Sequence, residues 1–206
     1  MLLFVVLAST PVSASPRDAV LALARTAYAC AVHAGAAADT GILTVIDYDR
    51  PSVDARLAVV DLHASAVLLE TRVAHGRNSG DDRAVAFSNV SGSNESSVGL
   101  YRTGETYTGK HGRSLTLDGL EPGWNDHARA RAIVVHAADY ATEAFVMRWG
   151  RLGRSLGCPA LDPAISDTVI DKIQGGTLVF AYHADAAWLA TSRWLACPDA
   201  DSAGSR

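Results

Sequence analysis

Cysteine is scarce in this 206-residue chain: there are three, at positions 30, 158 and 197. They allow at most one disulfide and leave one thiol over. Charge is sparse too. Charged residues make up 19% of the chain against 49% hydrophobic, and the formal net charge is −4. That balance excludes a disordered chain and a nucleic-acid clamp, so any attraction to polyanions must be local. The sequence has no phosphate loop, no zinc-finger spacing, no basic helix and no internal period of about 20–50 residues. Past the first residues, no run is long and apolar enough to cross a membrane. What is present is length enough for one domain with a sizeable core.

The opening "MLLFVVLASTPVSAS" reads as an export signal over residues 1–14. Leu2 to Ala8 form a short apolar core, and Val12-Ser13-Ala14 fits a small-residue cleavage site. No Lys or Arg precedes the apolar run; a buried N-terminal strand is the alternative. Outside the cytoplasm thiols tend to pair. Cys30 and Cys197 would then staple the two ends, or both would be small buried hydrophobes. Either way Cys158 is the thiol left free.

Residues 15–40 are expected to hold an N-terminal helix, with Leu21, Ala24, Tyr28 and Val32 at helical spacing and Asp39-Thr40-Gly41 as its end. Residues 41–184 form the main domain, and 185–206 a C-terminal docking helix and tail. Strands are expected at 41–50, at 56–62 and 67–75 as a hairpin, at 131–140 ending at His136, and at 177–184. Residues 98–121 read as short strands punctuated by Gly104, Gly109 and Gly112. The Gly-, Ser- and Asn-rich stretch 76–98 reads as a long surface loop. Asp162-Pro163 opens a helix as cap and first residue, and Gly175-Gly176 end it. With many short strands, few helices and no βαβ rhythm, the fold class is a β-rich α+β domain.

The chemistry concentrates in "RLGRSLGCPAL", residues 151–161. Cys158 sits in a turn, between a glycine and a proline, where a buried structural thiol would not be expected. A catalytic cysteine needs a cation, a helix N-terminus or a histidine beside it. Arg148, Arg151 and Arg154 recur every third residue upstream, the Pro163 helix begins downstream, and His136 ends an apolar strand. Gly157 lets the backbone bend so that N–H groups can converge on an oxyanion, and Ser155 could add a hydroxyl donor.

"RLGRSLGCPALDP" and "IVVHAADY", with "AHGRNSG" (74–80), the run 87–121 and "WNDHARARAIVVHAADY" (124–140), resemble the murein L,D-transpeptidase catalytic-domain family of bacterial envelopes. The likeness covers about residues 41–183. It implies a compact β-rich catalytic domain of the periplasm or cell envelope. In that domain Cys158 is the nucleophile, His136 its base, and Ser155 and Gly157 shape the active-site turn. It further implies acyl transfer on peptidoglycan stem peptides through a thioester, with release of D-alanine and no metal or organic cofactor. The broader family pattern has a histidine before the Gly-Cys pair and an Arg or Asn shortly after it; here those places hold Leu156 and Pro159-Ala160. The donor's carboxylate could fall to Arg151 or Arg154, whose guanidinium forks grip carboxylates bidentately.

Other residues have plainer readings. His75 and His111 read as strand-end histidines bonding backbone rather than groove residues. Asp139 either orients His136 or caps a turn, and Tyr140 packs. His33, His63 and His127 read as surface residues, and His183 is not assigned to the site. The alternatives to transfer are hydrolysis of the same bond, as a carboxypeptidase, and a non-catalytic wall-binding protein. A zinc site from Cys158, His136, Asp139 and His183 is the remaining rival.

Overall fold

The structure, a computed structural model, describes residues 16–197. The expected export signal lies outside the described residues.

Eight strands make one mixed sheet: β1 (Ile42–Asp47), β2 (Leu57–Asp61), β3 (Ala66–Thr71), β4 (Gly99–Gly109), β5 (Gly112–Gly119), β6 (Val134–Ala137), β7 (Ala160–Leu161) and β8 (Leu178–Tyr182). Their order across the sheet is β3-β2-β1-β8-β4-β5-β6-β7. Only β1–β8 and β6–β7 run parallel; the other pairs are antiparallel. The sheet is covered on both faces, which is why its central strands read as near-continuous apolar runs. Alternation still sorts them. Leu43, Val45, Val60, Leu100, Leu178 and Phe180 pack on one face with the N-terminal helix α1 (Pro16–His33) and with Trp188. Ile46, Val59, Tyr101, Val179 and Ala181 pack on the other with Val169, Ile170 and Ile173 of helix α3 (Pro163–Ile173).

Two helix boundaries have clear causes. Helix α1 stops at His33, short of the expected end, because Gly35 turns left-handed (φ +69°) and the Ala36 N–H reaches back to the Ala31 carbonyl. Helix α3 begins as expected: the Asp162 side chain accepts from Ala164 N–H, with Pro163 as the first helical residue. One helix was not anticipated: α2 (Glu143–Trp149), which buries none of its residues. The tail supplies α4 (Ala186–Thr191), whose Trp188 is fully buried and donates from Nε1 to the buried Glu121 carboxylate (2.9 Å). Cys30 and Cys197 form a disulfide that joins α1 to this tail.

The stretch after β3 is a long loop, as expected, and it is tied down at a few buried residues. His75, Ser79, Ser96 and Ser97 are buried. Their polar groups cross-link backbone: Ser79 Oγ accepts from Ser96 N–H (2.8 Å), and Ser96 Oγ accepts from Gly76 N–H (3.0 Å). The expected punctuation of 98–121 is revised. β4 and β5 are two long strands, and the register shift between Thr103 and Thr106 absorbs Gly104.

Candidate active site

The sheet edge β6–β7 places the two residues of interest. His136 pairs with Ala160 in parallel register. Carrying that register back two residues sets Cys158 opposite Val134, and the Val134 N–H lies 3.5 Å from Cys158 Sγ. Cys158 thus lies two residues ahead of β7, with its sulfur against the backbone of β6, the strand that carries His136. Cys158 and His136 both line one cleft of about 520 Å³, together with Lys110, His111, Arg131 and Arg154.

The Cys158 turn is held from within and from behind. Ser155 Oγ donates to the Cys158 carbonyl (2.6 Å) and accepts from Gly157 N–H (3.0 Å). From behind, Ser96 Oγ donates to the Gly157 carbonyl (2.9 Å), and the His75 carbonyl accepts from Ser155 N–H (2.8 Å). Gly157 is needed here: φ is +125°, and a Cβ would lie 2.8 Å from the Glu95 carbonyl oxygen. The Gly157 N–H is thus engaged by Ser155 within the turn. The N–H groups of Leu156 and Cys158 make no hydrogen bond among the described residues. Pro159 has no N–H to offer.

His136 is 3% exposed. Its Nδ1–H donates to the Ala137 carbonyl (2.8 Å), which leaves Nε2 as the uncommitted ring nitrogen. Asp139 is exposed and does not orient the ring; its own carbonyl accepts from Thr142 Oγ1. The His111 ring lies over His136, with centroids 4.5 Å apart and planes at 30°. His111, read from sequence as a strand-end residue, is thus part of the cleft.

Electrostatics favour a neutral pair at rest. Burial pushes the Cys158 thiol up; the Val134 N–H and the charges of Arg131 and Lys110 pull it back only in part. Burial pushes the His136 pKa down, and the neighbouring His111 and Lys110 push the same way, against the Ala137 hydrogen bond. The cations that reach the thiol are therefore not the upstream arginine run. Arg148 stacks on Trp149. Arg151 and Arg154 both bind the Asp81 carboxylate, at 2.8 and 3.0 Å, and Arg154 also donates to the Gly80 carbonyl. Of that run only Arg154 lines the cleft. Arg131, not singled out from sequence, lies beside the thiol. Its guanidinium donates to the Ser88 and Glu95 carbonyls and to Ser93 and Ser97 Oγ, pinning the preceding loop. Its placement in the "HARARAIVVH" run just ahead of His136 was the available signal.

The four residues of the zinc reading do not converge. His183 pairs with Asp49 and stacks on Phe87. Among the described residues no group of three His, Cys, Asp or Glu side chains is arranged to hold a metal.

Among solved structures, the chain is similar to an L,D-transpeptidase from Mycobacterium smegmatis (14% identity, TM-score 0.45, 69% of this chain and 59% of that one). It is also similar to one from Stackebrandtia nassauensis (16%, 0.42, 71% and 58%) and to L,D-transpeptidase 3 from Mycobacterium tuberculosis (10%, 0.45, 69% and 61%). It spans about three fifths of the length of these proteins. No curated protein matches it. The family model of the L,D-transpeptidase catalytic domain matches residues 14–182. That match takes in α1, the whole sheet, and both Cys158 and His136, and the chain belongs to the L,D-transpeptidase catalytic-domain family.

Proposed function

We propose that the chain catalyses cysteine-dependent acyl transfer on peptidoglycan stem peptides. The observation that supports this most is that Cys158 and His136 line one cleft, with the Cys158 sulfur lying against the backbone of the strand that carries His136. The resting thiol and imidazole are neutral, so the proton moves as the bond forms. Sγ attacks the carbonyl of the third stem residue while the thiol proton passes to His136 Nε2. The Leu156 and Cys158 N–H groups receive the oxyanion. Collapse breaks the C–N bond, and the imidazolium returns its proton to the departing amine of D-alanine. A second stem's amine then attacks the thioester, gives its proton to His136, and leaves a cross-link and a restored thiol.

We also infer that the chain works outside the cytoplasm, in the envelope of a bacterium. The Cys30–Cys197 disulfide fits an oxidising compartment, and the opening residues fit an export signal.

Incubation with tetrapeptide muropeptides tests the reading, comparing wild type with Cys158→Ala and His136→Ala by mass spectrometry. Dimers and free D-alanine from wild type, absent with Cys158→Ala, are expected. Tripeptides without dimers would make water the acceptor, and muropeptides left untouched by wild type would defeat the assignment.

A further inference from the structure

The β4–β5 hairpin closes on two residues, Lys110 and His111, between Gly109 and Gly112. Two-residue loops are the tightest of the common hairpin connections. His111 is fastened by its stack on His136. Lys110 is exposed, lines the cleft with Cys158, and makes no ion pair or hydrogen bond among the described residues. The other two strong cations of the cleft are committed elsewhere. Arg131 spends four hydrogen bonds on the 88–97 loop, and Arg154 shares Asp81 with Arg151.

An uncommitted ammonium at the wall of a catalytic cleft is a receptor for an anion. Which anion follows from the direction of the reaction, and here the argument rests on the acyl-transfer reading above. His136 must protonate the leaving amine, so the leaving residue lies on the His136 side of the scissile bond. Its carboxylate is one carbon beyond that amine. The stacked hairpin tip stands on that same side, and its charge is felt at both Cys158 and His136.

We propose that Lys110 is the specificity-determining residue of the cleft, its ammonium receiving the terminal carboxylate of the residue that departs from the donor peptide. The enzyme then acts on stems that end one residue past the attacked carbonyl. A stem extended or amidated at that end presents no charge to the tip.

The test uses two donors, a stem tetrapeptide ending in D-alanine and the same peptide ending in D-alaninamide. Wild type, Lys110→Ala, Lys110→Arg and Arg154→Ala are compared by kcat/KM for release of the last residue. The amide also changes the leaving amine, so the informative quantity is the acid-to-amide ratio of each variant relative to wild type. Loss of one charge-assisted hydrogen bond should shrink that ratio about ten- to a hundredfold in Lys110→Ala, almost wholly through the free acid. Lys110→Arg should recover much of it, and Arg154→Ala should leave it intact. An unchanged ratio in Lys110→Ala, or a collapsed one in Arg154→Ala, overturns the assignment while acyl transfer stands. Turnover of neither peptide by wild type counts against acyl transfer itself. Calorimetric binding of both peptides to Cys158→Ala, with and without Lys110→Ala, then decides the Lys110 assignment separately. Tighter binding of the acid that vanishes in the double variant supports it, and equal binding of acid and amide refutes it.

Discussion

Acid should unfold this protein partly through one histidine that takes no part in the chemistry. His75 is fully buried, and its Nδ1 lies 2.7 Å from Nη2 of Arg56. A guanidinium can only donate, so Nδ1 accepts and the ring is neutral, its proton on Nε2. Burial, and then the charge of Arg56, push its pKa down to about 4 from an ordinary 6.5. The unfolded chain regains the ordinary value. As pH falls below 6.5 the unfolded chain therefore binds a proton that the folded chain refuses. The stabilisation is whole above that point, erodes by up to about 1.4 kcal/mol per pH unit, and levels off below about pH 4. Integrated over the window it amounts to about 3 kcal/mol.

Urea unfolding of wild type and His75→Asn between about pH 7.5 and pH 4 measures this directly. The asparagine carbonyl can accept from Arg56 where Nδ1 did, and it does not titrate. The variant's stability should fall less steeply with acid, by about 3 kcal/mol across the range. Parallel curves for the two proteins would refute the reasoning. The site should sense the same loosening, because the His75 carbonyl holds Ser155 N–H at the base of the Cys158 turn.

Two further outcomes are expected. Ser155→Ala strands the Gly157 N–H and the Cys158 carbonyl; thermal or denaturant unfolding should show a loss of about 1–3 kcal/mol, and D-alanine release should drop with it while Cys158 still alkylates. Cys30→Ser should lower stability by up to about 5 kcal/mol in the chain-entropy model, and dithiothreitol should bring wild type down to the same denaturation midpoint.

The sequence carried the frame well, for physical reasons. The strands "GILTVID" and "TLVFAY" are apolar on both faces because helices cover both sides of the sheet. Asp162-Pro163 announced α3 because capping chemistry is local. Helix α2 was not legible, since it is short and its apolar residues Phe145, Val146, Met147 and Trp149 are at most half-buried, with no clean apolar stripe to be read. The loop 76–98 was legible but the ties made by Ser79 and Ser96 were not, because composition does not distinguish a serine facing water from one that ties two backbones together. The two residues at the centre of the proposed site stand out in the sequence, and their surroundings do not. Arg151 and Arg154 stood beside Cys158 in sequence, yet Asp81, seventy and more positions away, engages them. Lys110, His111 and Arg131 reach the cleft only through strand pairing, which adjacency along the chain does not record.

The Cys30–Cys197 bond has a topological consequence. Between those two positions the polypeptide is a covalent ring, threaded through every strand of the sheet. A protease that nicks an exposed segment such as the one around Val85 and Val90 would open the ring without splitting the molecule. The cut protein would migrate as one species until a reductant separated the halves.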